Sequence, residues 1–389
     1  RDFAYDVCFR HMLVIFNNFL RLANIRIKCI FSLKRLNFRL LYQMSEDNRY
    51  FSAPLIKWYL ISKRSLPWRD TRDPYLIWLS EVILQQTRVA QGLPYYEKFQ
   101  AAYPTVQDLA AANEEEVLKL WQGLGYYSRA RNLKKTAEIV CEDFGGRFPE
   151  TYDELLKLKG IGPYTAAAIA SFAFKEKKAV VDGNVYRVLS RVFGVDEPIN
   201  KSSGQKLFQE LADSLIDPED PDLFNQAIME FGATECTPKK PNCTSCIFND
   251  RCVALATNKI DGLPVKLSKV KVTKRYLHYL MLLDQNRNTR FVKRPNHGIW
   301  AGLYEFPLIE SDTSGELTVN EIESFVEQSA KVTLLSENPI VHKLSHRHLE
   351  VRVYRVEVKN LNEPVVSMDE IDQYPTSTLM ERLLQQFKI

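Results

Sequence analysis

No stretch of eighteen apolar residues runs uninterrupted by charge anywhere in the 389 residues, which excludes a bilayer-spanning helix from the expected architecture. Cysteine is sparse outside one short segment. Of seven cysteines, Cys8, Cys29 and Cys141 stand alone with no partner spacing. A disulfide framework is therefore excluded, since a chain of this length buries a core without such staples. Net positive charge is absent from the body of the chain as well. The formal charge of +4 divides into +6 for residues 1–43, with eight Arg/Lys against two acids, and −2 for residues 44–389. Net charge gives the body of the protein no pull on a phosphate backbone, so any such affinity has to arise locally. The remaining composition is that of a globular protein, 45% hydrophobic and 26% charged, with length for two or three domains.

The first 43 residues stand apart. They are rich in Phe, Leu, Ile, Asn and Arg without a clean period, and Met44 follows, ahead of the solvated run Ser45-Glu46-Asp47-Asn48. Three readings compete: upstream sequence translated from a misplaced start, a basic and acid-poor targeting arm, or a partner-binding extension. A secretory leader is disfavoured, because no small-residue cleavage site follows an apolar core.

No strand is predicted between residues 50 and 255. Helices are predicted at Tyr75–Thr87, Asp108–Trp121, Ala130–Phe144, Tyr152–Leu158, Pro163–Phe174, Val185–Phe193 and Leu223–Phe231, punctuated by glycines. Asp73-Pro74 supplies an N-cap and a first-turn proline. The helix that follows is apolar nearly all round and is expected to be buried. Residues 256–272 are polar and lysine-rich and read as a linker. Beyond them, Tyr276–Leu283 and Arg290–Lys293 flank a turn-rich segment and predict a hairpin. Leu349, Val351 and Val353 alternate with charges, as in a half-buried strand, and Thr376–Phe387 fits a closing amphipathic helix. The architecture is multi-domain: an all-α part over 44–255, a linker, and a separate α+β domain over 273–389.

Four cysteines fall within seventeen residues, as Cys236-(six)-Cys243-(two)-Cys246-(five)-Cys252. Sulfur at that density holds a soft metal centre, either zinc or an iron–sulfur cluster. Zinc ribbons usually separate two short pairs widely, whereas this quartet sits in one compact loop and leans toward a 4Fe–4S cluster. Upstream, Lys159-Gly160-Ile161-Gly162-Pro163 joins two helices by a tight hairpin. Such a hairpin presents backbone N–H groups and a helix N-terminus to an anion without basic side chains. Its plainer reading is a helix connection. Asp182 follows two valines and precedes Gly183, at an element boundary, where an N-cap is the competing role. Glu81 lies mid-helix among Ile77, Trp78, Leu79, Val82, Ile83 and Leu84. A carboxyl there is either paired or protonated through a raised pKa, as a general acid near neutrality must be. Two carboxyls in unlike surroundings suit an acid and a charge stabiliser at a glycosidic bond.

Together these stretches resemble the DNA glycosylases of the endonuclease III superfamily, and within it the adenine DNA glycosylases. The resemblance is carried by Leu66-Pro67-Trp68-Arg69, by Ser80-Glu81-Val82-Ile83-Leu84-Gln85-Gln86-Thr87, by Gly123-Leu124-Gly125-Tyr126-Tyr127-Ser128-Arg129-Ala130-Arg131, and by the hairpin, Asp182 and cysteine motifs. It implies a helix–hairpin–helix core with a six-helix part over about 72–180 and an iron–sulfur part from about 50–71 plus 181–255. It implies that Cys236, Cys243, Cys246 and Cys252 hold a 4Fe–4S cluster. Glu81 would protonate adenine, Asp182 would stabilise the sugar cation, and Asn184 would orient the site. Tyr164 stands where bifunctional members carry a nucleophilic lysine, so strand cleavage through a Schiff base should be weak or absent. Gln86 and Tyr127 would enter the base stack, Gly160 and Gly162 would meet phosphate, and Arg69 and Gln226 would line the adenine pocket. Gly298-Ile299-Trp300-Ala301-Gly302-Leu303-Tyr304-Glu305-Phe306-Pro307 resembles the Nudix-like module of the same family. Residues 308–328 lack the glutamate-rich metal-binding pattern of Nudix hydrolases, which implies recognition without hydrolysis. Ser345 and His346 would read 8-oxoguanine, with Leu344 standing where members carry an aromatic. The implied partner is double-stranded DNA with adenine opposite 8-oxoguanine, met by a cytoplasmic, nucleoid-associated monomer with no membrane partner. The rival readings are an endonuclease III-like lyase on oxidised pyrimidines and a non-catalytic iron–sulfur DNA-binding protein.

Overall fold

The computed structural model describes residues 49–267 and 272–387, and the readings of residues 1–43 lie outside them. Residues 49–54 begin α1 (Arg49–Ser62), and from Leu55 onward the chain forms one compact unit. No helix among the described residues is long and apolar enough to cross a membrane.

The first part is helical. α2 (Pro74–Leu84) starts where expected: Asp73 accepts the Tyr75 N–H at 2.9 Å and Pro74 fills the first turn. α3 (Val89–Ala102) carries Gly92 and Pro94 inside it, signals that in sequence read as turns. The single helix predicted over Asp108–Trp121 is two, α4 (Val106–Ala111) and α5 (Glu114–Leu120). Asn113 breaks it by accepting the Glu115 N–H at 2.9 Å, and three glutamates then sit at the positive end of the new helix. α6 (Ser128–Phe144), α7 (Tyr152–Leu155), α8 (Pro163–Phe174), α9 (Gly183–Phe193), α10 (Ser202–Leu215), α11 (Pro221–Thr234) and α12 (Val253–Ala256) follow. α8 buries Ala166, Ala167, Ala168 and Ala170 and packs against α2. Small side chains let the two backbones approach, which brings residues of both helices to one cavity.

The second part is α+β. β1 (Thr273–Leu283), β2 (Asn288–Arg290), β3 (Val292–Lys293), β4 (Tyr304–Glu305), β5 (Leu308–Ser311), α13 (Val319–Val326), β6 (Lys331–Leu334), β7 (Ile340–Lys343), β8 (Arg347–Glu357), β9 (Val365–Ser367) and α14 (Thr378–Gln386) complete it. The hairpin predicted at Tyr276–Lys293 does not form. The chain does turn, with the Asp284 N–H on the Asn288 carbonyl at 3.1 Å. β1 then pairs antiparallel with β5 and parallel with β8, while β2 leaves to pair with β9. Leu349, Val351 and Val353 of β8 face the core as their alternation required. Leu303 reaches across into the helical core, Arg131 donates to the Ala301 carbonyl at 2.6 Å, and Lys293 and Tyr304 both meet Glu115 Oε1, at 2.7 and 2.9 Å.

Candidate active site

A cavity of about 180 Å3 opens between α2, α8, α9 and α11. It is smaller than the roughly 300–1,000 Å3 pockets that drug-sized ligands occupy. Glu81 of α2 and Tyr164 of α8 line it, as do Asp182, Asn184, Arg69 and Gln226. Glu81 is buried, and the Tyr164 hydroxyl donates to its Oε2 at 2.5 Å. Burial raises the Glu81 pKa, the Tyr164 hydrogen bond opposes the rise, and the negative charge of Asp182 adds to it; the result is about 7. Tyr164 itself is held well above its ordinary value by burial and by Glu81, so it stays a donor. A carboxyl poised at neutrality is suited to deliver a proton.

Asp182 caps α9. Its Oδ1 accepts the Asn184 and Val185 N–H groups and its Oδ2 the Asn184 amide, all at 2.8 Å. Burial raises its pKa, against those donors and Arg187. The cap and the catalytic candidate are thus one carboxylate: the helix N-terminus that it closes also favours its negative form. Asn184 is fixed in turn by Arg187, whose NH2 meets Asn184 Oδ1 at 2.7 Å and the Gly232 carbonyl at 2.6 Å, and whose Nε meets the Cys236 carbonyl at 2.6 Å.

Arg69 is held by a residue that sequence reasoning passed over. Glu230, buried on α11 among Phe224, Ala227, Ile228 and Phe231, receives Arg69 NH2 at 2.5 Å and the Arg64 NH2 and Nε at 2.6 and 2.7 Å. Burial would raise its pKa, but the hydrogen bonds from the two arginines prevail and bring it down to about 2. The signal was the one that exposed Glu81, a carboxyl amid an apolar helix face. Gln226 spends its carbonyl on the Tyr59 hydroxyl at 2.5 Å, which leaves its amide NH2 for the cavity.

The residues expected to meet DNA divide. Gly160 turns through φ +79, and an added Cβ would come 2.7 Å from Asn132 Cβ. Gly162 precedes α8 with Pro163 in the first turn, and both glycines are exposed. Gln86 is exposed. Tyr127 is not available to enter a base stack: it is 4% exposed and donates to the Thr376 carbonyl at 2.8 Å. Its neighbour Tyr126 is the exposed one, turned outward by a left-handed φ of 48. Adjacent tyrosines look alike in sequence, and only the backbone turn assigns one to the core. Ser345 and His346 are exposed, and Ser345 Oγ shares a hydrogen bond of 2.8 Å with the Tyr126 hydroxyl. Leu344 packs against the core of the sheet.

Cys236, Cys243, Cys246 and Cys252 are all free thiols. Burial raises Cys246 to about 11, and the other three add to the rise, so the four lie within electrostatic reach of one another. No group of three or more His, Cys, Asp or Glu among the described residues closes tightly enough for a metal ion. The Phe248 N–H meets Cys246 Sγ at 3.4 Å and Arg191 NH1 meets Cys236 Sγ at 3.5 Å, donors of the kind that stabilise cluster sulfurs. Four thiols in one loop, two of them receiving N–H donors, are the kind of donor set that a thiolate-held cluster uses.

Residues 79–214 match the family model of the HhH-GPD superfamily base excision DNA repair protein, and residues 278–386 that of the NUDIX domain. The chain is 35% identical over 306 residues to the adenine DNA glycosylase of Buchnera aphidicola subsp. Baizongia pistaciae (strain Bp), covering 77% of this chain and 84% of that one. It is 36% identical over 364 residues to the adenine DNA glycosylase of Rattus norvegicus, covering 79% and 70%. Among solved structures, a thermostable thymine-DNA glycosylase aligns with a TM-score of 0.51 and 34% identity over 54% of this chain and 97% of that one.

Proposed function

The chain belongs to the adenine DNA glycosylases of the helix–hairpin–helix base-excision repair superfamily, and from that premise we propose that it excises undamaged adenine opposite 8-oxoguanine by acid-assisted cleavage without strand scission. The observation that carries the reading is Glu81, a buried carboxyl at about pKa 7 facing that cavity. The adenine leaves the duplex to reach it, because the glycosidic bond is inaccessible in the stack. Glu81 protonates the flipped base, the N-glycosidic bond breaks with its electron pair leaving on adenine, and water adds to the resulting oxocarbenium-like sugar, its proton returning to Glu81. Asp182, held by three N–H donors, offers its negative charge to that cation. Tyr164 keeps Glu81 in place and supplies no amine, which supports a monofunctional reaction over the lyase.

Gln86 and Tyr126 open the stack, Tyr126 taking the role expected of Tyr127. Gly160 and Gly162 meet phosphate through backbone N–H groups, which suits a body of net charge −2. Ser345 and His346 read the lesion strand. Cys236, Cys243, Cys246 and Cys252 hold a 4Fe–4S cluster that ties the loop they span, and no step of base release passes through it. A single-turnover assay on a duplex with one adenine opposite 8-oxoguanine tests the reading. Loss of adenine with an intact abasic strand is expected. Strand scission without added base would favour the lyase, and binding without base release would favour the non-catalytic protein.

A further inference from the structure

Arg129, in the first turn of α6, is a half-buried charge that no carboxylate among the described residues balances. Its NH1 donates to the carbonyls of Val82, Ile83 and Gln85 at 2.9, 3.0 and 2.6 Å. Its NH2 donates to those of Leu124 and Gly125 at 3.4 and 3.1 Å. The first three carbonyls form the open end of α2, where a cation is favoured. The guanidinium also lies 5.0 Å from the Trp121 ring and 5.8 Å from that of Tyr126. One planar fork therefore binds two chain segments at once. Those segments end in Gln86 and Tyr126, both exposed and both in the left-handed region at φ 56 and 48. Non-glycine residues persist there only where their surroundings hold them.

We propose that Arg129 is a positioning residue that locks Gln86 and Tyr126 as one rigid pair at the end of α2, at a fixed offset from Glu81 within that helix, so that stack opening delivers the base to the acid. This rests on the reading that Gln86 and Tyr126 open the stack. Arg129 touches no substrate: its charge is spent on backbone, and lysine, with no planar fork, does not reach five carbonyls.

The test uses the full chain with its cluster and a duplex carrying one adenine opposite 8-oxoguanine, with 2-aminopurine beside the adenine to report unstacking by fluorescence. In Arg129→Lys and Arg129→Gln the rate of stack opening and the single-turnover rate should fall together by roughly 100-fold, the usual result of an ångström-scale misplacement. The alkaline limb near pH 7, set by Glu81, should not move. Arg129→Lys combined with Tyr126→Ala should be no slower than the worse single variant, as for residues acting as a unit. A purely structural Arg129 would lower the melting temperature and leave stack opening at the wild-type rate, and that result overturns the proposal. So does multiplication of the two losses. Should Arg129→Gln not fold, Arg129→Lys carries the test. If Gln86→Ala with Tyr126→Ala opens the stack at the wild-type rate, the underlying reading fails and this one with it. A loss there beside normal opening in Arg129→Lys overturns this proposal alone.

Discussion

Replacing Glu81 by glutamine should stabilise the protein while abolishing its turnover, and the gain should depend on pH in one direction. Folding moves the Glu81 pKa from its ordinary 4.5 to about 7. Between those values the folded state keeps a proton that the unfolded state releases, so stability falls as pH rises through the window. Below about 4.5 there is no penalty, and above about 7 it is complete and constant. At about 1.36 kcal/mol per pKa unit, the full penalty is about 3 kcal/mol. Glutamine carries no charge and still offers an oxygen to the Tyr164 hydroxyl, so Glu81→Gln should recover that amount at pH 8 and only about 1 kcal/mol at pH 5. For the compact unit from Leu55 to Ile389, at about 2.1 cal/mol/K per residue, this is roughly 4 °C in melting temperature. Melting curves of both proteins at pH 5, 6, 7 and 8 make the measurement, with single-turnover excision run alongside. A melting-temperature difference that is flat with pH, or a variant less stable at pH 8, would refute a buried and proton-holding Glu81.

Other outcomes follow from the same contacts. Tyr164→Phe removes the donor that holds the Glu81 pKa down, so the alkaline limb of the single-turnover rate should move above pH 7; a limb that stays or moves down contradicts the assignment. Glu230→Gln takes the counter-charge from Arg69, whose positive charge lowers the Glu81 pKa. The limb should then shift below pH 7, and loss of a buried ion-pair partner should destabilise the fold by about 3–5 kcal/mol, read by denaturant titration. Asp182→Asn keeps the cap acceptor and loses the charge, so it should bind the lesion duplex and turn over roughly 10²–10³-fold more slowly. Asp182→Ala should add a loss of about 1 kcal/mol in stability from the missing cap.

Much of the site is legible in the residues because burial and charge conflict there. Glu81 announces itself as a carboxyl on an apolar helix, and Asp182 as a carboxyl at an element boundary. Glu230 gives the same signal as Glu81, but its partners Arg64 and Arg69 lie far away in sequence, so the pair forms only in three dimensions. Tyr126 and Tyr127 differ by which side of a left-handed turn they fall on, and local pattern does not encode that choice. The missed hairpin has a related cause. The turn-rich segment after Leu283 predicts that β1 is a strand but not that its long partner is β8, reached in parallel from the far end of the domain. The break between α4 and α5 rests on one asparagine cap inside a continuous helical pattern. Local chemistry was readable, and pairings between distant segments were not.

The three carboxyls at the cavity explain why so much charge is buried in one place. Glu81 is raised to about 7, Glu230 is lowered to about 2, and Asp182 is raised by burial against three N–H donors. An apolar cavity of the same shape would often be as stable or more so, since desolvation offsets much of what buried ion pairs gain. On the proposed mechanism the arrangement serves the reaction instead. Glu230 neutralises Arg69, which would otherwise pull Glu81 toward ionisation. Tyr164 limits how far Glu81 rises, and Asp182, held by its own helix, adds the negative charge that keeps Glu81 protonated. Each group biases the protonation of its neighbour, so that on the proposed mechanism the acid would hold its proton before a base arrives. On the proposed mechanism, base release would leave Glu81 ionised, and it would then be a second negative charge beside the sugar cation. The same coupling requires that the three carboxyls not act independently: Glu81→Gln and Asp182→Asn combined should lose less activity than the product of their separate losses.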